Sequence, residues 1–548
     1  MYTSKRISLP AAVLLAFLLA APAGAQNLSD AVKLQIADIL AAKAAFNAAQ
    51  KKIDSNLVFA AKNQRGEFAG TSLATLVPNV VSDVPTTVTV DIRGTASTIT
   101  TLVASLGGTV VSQTGGFVRA NVPLGSLEAL AASNSVRTIV REEKATTNVG
   151  ALTSQGYVSH QAREVINSLA VNGSGVKVGV LSDSASAGRV AALQLSGDLG
   201  PSTTVLSAGT GSDEGAAMME IIQDIAPGAQ LYFATANGGQ GTMAANITAL
   251  AAAGCTIIVD DISYFAEAVF QDGPIQQAIN TFVSNGGIYL SSAGNSGSLA
   301  KGTASVWEGD FLSAGAISGA IATAGESGLV HNFGTAGSPV TFDALSQTGS
   351  GTNVVTLKWS DPLGASANDY DLFAVNSAGT LVKGFSAGVQ SGTQDPLELM
   401  SGSGCGGGTP SGYCAVSGDR LVVVLYDGAP RALRLDAHRL RLSVATTGAT
   451  AGHNAGGSTL SVAATYWNSA KTGTRPFTGF ANPVETFSSD GPRKVFFNPD
   501  GSPITPGNFL FATNGGQTLA KPDITAADGV STKTPGFLQF FGTSAAAP

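Results

Sequence analysis

Histidine is scarce: the 548 residues hold four, at positions 160, 331, 438 and 453. None lies between His160 and His331, so acid–base chemistry within that stretch would fall to carboxylates. Cysteine is scarcer still, at three, which excludes a scaffold held together by many disulfides. Cys405 and Cys414 flank a Gly-rich loop and suit a small disulfide, while Cys255, at the mouth of a core strand, suits a buried free thiol. Charge is also thin. Charged residues make up 12% of the chain, and the formal net charge is −7. That balance argues against a nucleic-acid binder and, with 67 glycines, suits a loop-rich extracellular protein. Long apolar runs are missing apart from one: Lys5 and Arg6 precede Leu9–Ala21, then Ala23-Gly24-Ala25 before Gln26. This is the pattern of a secretory signal peptide over 1–25, too short to span a bilayer. No transmembrane segment is expected elsewhere.

What is present is a set of apolar strands that end in polar residues. VNGSGVKVGVLSDS (171–184) feeds the strand Val176–Leu181 into Asp183. IYLSSAGNSG (288–297) delivers Asn295 into a Gly-bounded turn, and GTSAAAP (542–548) holds Ser544 among small residues. Gly542 allows close backbone approach, and Pro548 falls in a first helical turn, where its missing N–H does no harm. Strands at Val176–Leu181, Leu231–Thr235, Thr256–Val259 and Ile288–Ser291 alternate with helices near Glu214–Ile225, Met243–Ala253 and Ile275–Ser284. Such alternation predicts a parallel sheet with helices on both faces. Catalytic groups collect at the carboxyl edge of such a sheet.

Together with KPDITAADGV (521–530) and TFSSDGP (486–492), these motifs resemble the subtilase family of serine peptidases in the order Asp, Asn, Ser. The resemblance covers roughly 155–300 and 450–548. It implies a subtilisin-like α/β fold, Ser544 as nucleophile, Asp183 in the catalytic cluster and Asn295 as oxyanion donor. The family's His-Gly-Thr motif is missing. At the equivalent place, GSDEGAAMMEIIQDIAPGAQLYFATA (211–236) puts Glu214 before Gly215, thirteen residues ahead of Pro227. That spacing is similar to the sedolisins, acid-acting relatives with a Glu base. The Asp they carry four residues later is Met218 here, and Asn295 stands where they have Asp.

A carboxylate can deprotonate Ser544 if it is ionised in the resting enzyme. Asp183 beside Glu214 is expected to form a coupled acid pair that can share one proton, giving an acid-shifted optimum. Asp260 and Asp261 follow the next strand, at a place where subtilases line the substrate cleft. One of them is a candidate for the active-site hydrogen bonds. Asp261 and Ser263, which matches the family's edge-strand serine, are assigned to substrate binding with His453 of AGHNAGG. His453 matches a segment bordering the specificity pocket, and the alternatives are a structural histidine or a replacement base. Glu220 and Asp224 lie around the helix from Glu214 and are expected on a solvated face.

Five segments follow. After the signal peptide, 26–150 begins with an Ala-rich helical stretch, Leu28–Gln50. It continues strand–helix–strand–strand–helix–strand from Val88 to Glu142, a ferredoxin-like order. By the family resemblance this is a prosegment that assists folding and inhibits the cleft until cleaved; a permanent accessory domain is the alternative. The peptidase domain occupies 151–300 and resumes over 451–548. Between them, 301–450 carries short alternating runs at Asn353–Trp359, Tyr370–Val375, Arg420–Tyr426 and Leu440–Ala445, an inserted antiparallel β-sandwich resembling jelly-roll accessory modules. Asp361, Asn368, Asp369 and Asp371 form a candidate Ca2+ site there, with polar loop chemistry as the alternative; no other cofactor is expected. The motif stops at Pro548, so a longer parent protein is expected. The function expected is a secreted serine endopeptidase acting on polypeptide. A catalytically silent subtilase fold that binds at the cell surface is the rival, and an esterase or amidase is a third reading.

Overall fold

The computed structural model describes residues 30–142, 155–316, 328–347, 353–403, 411–468 and 482–548, except 72, 83 and 380, with 405 and 477 as isolated positions. The signal peptide expected over 1–25 lies outside these residues.

The centre is a seven-stranded sheet in the order Ile524–Asp528, Leu460–Tyr466, Ile288–Ser292, Ile257–Asp260, Lys177–Ser182, Gln230–Thr235, Thr204–Ser207, with every neighbour parallel. Its middle strands are near-continuous apolar runs because both faces are covered. Side chains alternate between the faces. Val178, Val180, Leu231, Phe233 and Val259 pack with the helix Glu214–Ile225. Leu181, Tyr232, Ala234 and Ile258 pack with the helices Gln240–Ala252 and Pro274–Ser284. The chain is thus mixed α/β, as its strand–helix alternation implies. Among the elements that escaped that reading are the helices Ala162–Leu169 and Ala187–Ser196 and the short edge strand Thr204–Ser207.

From Val306 to Leu442 the described residues form two antiparallel sheets around a shared core that includes Trp359, Tyr370, Leu372, Val423 and Leu435. Cys405 and Cys414 are disulfide-bonded, and Cys255 is buried and free. Nearer the N-terminus, strands Thr87–Gly94, Thr109–Thr114, Phe117–Pro123 and Val136–Arg141 form an antiparallel sheet in which the first and third are central. This unit and the preceding helices share one apolar core with the insert: Leu57, Phe59 and Val77 meet Phe373, Val382, Phe385 and Val424. Phe59 and Phe385 pack edge to face with centroids 5.0 Å apart.

The candidate calcium ligands are organised around protein cations instead. Asp369 and Asp371 both receive the buried Lys43 ammonium, at 3.1 and 2.6 Å. Asp361 accepts Arg431 Nε at 2.7 Å and Asn368 Nδ2 at 2.7 Å. Because those oxygens already meet positive charge, the calcium expectation is corrected: no cluster of metal-ligating side chains occurs among the described residues. No helix among them is long and apolar enough to cross a membrane.

Candidate active site

At the carboxyl edge of the parallel sheet, four strand ends and two helix starts bring acids, an amide and a hydroxyl together. Asp183 follows the Lys177–Ser182 strand and is 7% exposed. Its carboxylate is filled with donors: the backbone N–H groups of Ser184 and Ser212, Glu214 N at 3.0 Å, Ser212 Oγ at 2.6 Å and Ser184 Oγ at 3.2 Å. Asp183 therefore caps the turn and the first amide of the Glu214–Ile225 helix, where the helix's unpaired N–H groups favour an anion. Asp213, just before that helix, is held left-handed at φ 64°. Ser186 fixes it, donating through N at 2.7 Å and Oγ at 2.9 Å. Gly215 is obligatory here, since a Cβ would strike the Phe233 ring.

Glu214 is completely buried, and its carboxyl meets that of Asp261 rather than that of Asp183. The acid pair is thus Glu214–Asp261, which corrects the expected Asp183–Glu214 pair: Asp183 spends its lone pairs on the turn. Burial is the largest influence on Asp261 and pushes it up to about 7, with the Asp183 and Asp260 charges adding and the Glu214 hydrogen bond partly offsetting. Two carboxyls in such contact titrate as a coupled pair rather than as separate groups.

Asp260 turns to the opposite face, as the two-residue period requires. It accepts Ser291 Oγ at 3.0 Å and lies 3.3 Å from His453 Nε2. His453 Nδ1 is 2.7 Å from Glu267 Oε2. Burial alone would lower the imidazole's pKa, but Glu267 and Asp260 lift it to about 10. His453 is a buried cationic clamp, so the assignment to substrate binding is corrected. Ser263 is half-buried, and its hydroxyl donates to Asn454 Oδ1 at 3.2 Å. Asp261, also assigned to substrate binding, belongs to the acid pair. Glu220 is corrected too: it is buried, and its carboxylate accepts Lys533 N at 2.6 Å and Thr534 Oγ1 at 2.6 Å.

Asn295 follows the Ile288–Ser292 strand. Its Oδ1 accepts from Thr543 N at 3.1 Å and Thr543 Oγ1 at 3.0 Å, which orients the Nδ2 amide away from Thr543 as a donor. Ser544 sits in the short helix Thr543–Ala546, packed against the Glu214–Ile225 helix and three strands. It is fully buried, and its hydroxyl has no hydrogen-bond partner among the described residues. Asp528, which sequence reasoning passed over, accepts Gly542 N at 3.0 Å, and burial raises it to about 7. Its place at a strand end, directly after an alanine pair, was the available signal.

No family model matches the chain, and no curated protein matches it. Among solved structures it is similar to the "PatG macrocyclase in complex with peptide", at 11% identity and a TM-score of 0.18. That match covers 27% of this chain and spans 59% of the other; an overlap so slight carries no conclusion about the fold or its chemistry.

Proposed function

We propose that this chain is a serine endopeptidase of subtilase type, in which Ser544 attacks the peptide carbonyl and Glu214 takes its proton. The observation that carries the reading is the gathering of Asp183, Glu214, Asn295 and Ser544 at one sheet edge, with a second carboxyl, Asp261, against the base. The reading requires Glu214 to be the ionised member of this pair, with the proton on Asp261, whose pKa burial raises to about 7. Asn295 Nδ2 stabilises the oxyanion, an interaction worth about 2.7–4 kcal/mol in subtilisin. Loss of the Asp261 proton at higher pH, and protonation of Glu214 at low pH, together give an acid-shifted optimum. We assign 26–150 as a prosegment acting as intramolecular inhibitor and 1–25 as an export signal, so the enzyme works outside the cell on polypeptide. In support, Arg119 and Phe117 of the N-terminal sheet lie against Gly239 and Gly241 at the start of the Gln240–Ala252 helix.

A second reading, a cleft that binds polypeptide without cutting it, is favoured by one observation: Ser544 Oγ is enclosed and makes no hydrogen bond to Glu214. Both are tested by incubating the chain with denatured casein from pH 3 to pH 9, beside Ser544→Ala and Glu214→Gln. Cleavage that needs both residues and peaks at acid pH supports the peptidase. A peak above neutrality, or activity surviving in Glu214→Gln, overturns the carboxylate base. Silence at every pH in a folded chain leaves the binding protein.

A further inference from the structure

We propose that Glu220 is a positioning residue: it ties the loop that delivers Ser544 to the helix that begins at Glu214, and so sets nucleophile against base. The inference rests on reading Ser544 and Glu214 in those roles. Between the strand Ile524–Asp528 and the short helix Thr543–Ala546 the chain makes one loop, 529–541. Its two ends are drawn together. Asp528 Oδ2 accepts Gly542 N at 3.0 Å, and Gly529 N donates to Phe540 O at 3.0 Å. Val530 and Phe540 exchange backbone hydrogen bonds of 3.2 and 3.0 Å. Inside the loop, Thr532 Oγ1 donates to Phe537 O at 2.6 Å, and Phe537 N donates to Thr534 O at 3.0 Å. Phe537 and Phe540 pack edge to face with centroids 5.0 Å apart, in the same core as Ala217, Met218 and Ala546.

The middle of the loop closes on Glu220. Its carboxylate accepts Lys533 N at 2.6 Å, Thr534 N at 3.1 Å and Thr534 Oγ1 at 2.6 Å. Both Glu220 and Thr534 are buried, so water cannot take over these bonds unless the loop moves. Hydrogen bonds to a carboxylate are the stronger kind, and three converge here. The ion pair between Lys533 Nζ and Asp198 Oδ2, at 2.8 Å, is exposed and holds weakly beside them. Glu220 follows Glu214 by six residues on one helix, about 9 Å along its axis. Because the loop is closed on itself, the three bonds fix it to that helix. Glu214 opens the helix, and Ser544 follows the loop. Nothing joins the two reacting groups directly, since Ser544 Oγ has no hydrogen-bond partner among the described residues. Their separation is therefore set by the elements that carry them, and a misplacement of about 1 Å can cost about 10²-fold in rate.

The test compares the chain with Glu220→Gln, which keeps one acceptor oxygen and loses the other. Thr534→Val is the milder variant, removing only the hydroxyl from the clamp. Ile222→Ala, a buried change on the same helix, is the control for lost packing. Steady-state cleavage of labelled casein is read well below each melting temperature. Glu220→Gln is expected to lower kcat about ten- to a hundredfold with KM within about twofold, and Thr534→Val to lower kcat less. Ile222→Ala should lower the melting temperature and keep its kcat. Amide hydrogen exchange is the second readout and needs no activity. Glu220→Gln should quicken exchange at Lys533 and Thr534 and also across 544–547. A kcat no lower than that of Ile222→Ala, or exchange that quickens at Lys533 and Thr534 alone, would make Glu220 a brace for the loop only and overturn the proposal. If the unchanged chain leaves casein intact, the peptidase reading fails, and exchange alone decides whether the clamp reaches Ser544.

Discussion

Replacing Asp261 with an asparagine should lessen the pH dependence of stability, because Asp261 is a buried acid whose proton the folded state retains. Its rise from 3.8 to about 7, at roughly 1.4 kcal/mol per pH unit, corresponds to at most about 4 kcal/mol. The direction follows from proton counting. Between pH 3.8 and about 7 the folded chain keeps the proton and the unfolded chain releases it, so stability is full below 3.8 and falls as pH climbs to about 7. Above that the loss is complete and the curve levels. The amide introduced by Asp261→Asn has no titrating proton to lose, so the variant's curve should fall less steeply across this window, the remaining slope coming from other buried acids such as Asp528. Thermal melting of the chain and Asp261→Asn at half-unit steps from pH 4 to pH 8.5 measures the difference. The side-chain amide can still donate to Glu214, so the variant should also keep its acid-side activity and extend it above pH 7. Melting curves that stay parallel from pH 4 to pH 8.5 would refute a retained proton on Asp261.

Asn295→Ala should lower kcat about 10²–10³-fold with little change in KM, read from steady-state peptide hydrolysis, since the lost donor acts on the oxyanion. His453→Gln removes the clamp between Glu267 and Asp260. Its cost, about 3–5 kcal/mol near pH 6, should shrink as pH rises from 6.5 towards about 10, the window over which the folded imidazolium is raised. Denaturation at pH 6 and pH 9.5 measures that change.

The central sheet was legible because strands covered on both faces are written as apolar runs, and Glu214–Ile225 was expected with the bounds it has. The strand Thr204–Ser207 was not, for it is short, polar and at the edge. The strand-end acids show where sequence reasoning stops. Asp260 and Asp261 are adjacent in sequence yet face opposite sides of the sheet, one to His453 and the other to Glu214. Alternation along Ile258 and Val259 could have separated them. No local pattern could have supplied Glu267 to His453, a pairing across 186 residues, or Lys43 to Asp371, across 328. Glu220 was placed on the solvent side from helix geometry alone, but the loop around Lys533 and Thr534 covers that side.

The N-terminal unit and the sandwich share one core, and this changes what cutting the chain between them could achieve. Scission alone would release nothing: Phe59 would still sit against Phe385, and Lys43 between Asp369 and Asp371, with its ammonium 4.3 Å from the centre of the Tyr426 ring. The product would be a nicked two-piece complex that migrates as one species until a denaturant parts it. Departure of the N-terminal piece would strip an apolar wall and leave two acids facing it without their cation, a state costly enough in water to hold the pieces together. In that sense the sandwich is an anchor for the N-terminal piece, and what separates the two is unfolding rather than hydrolysis.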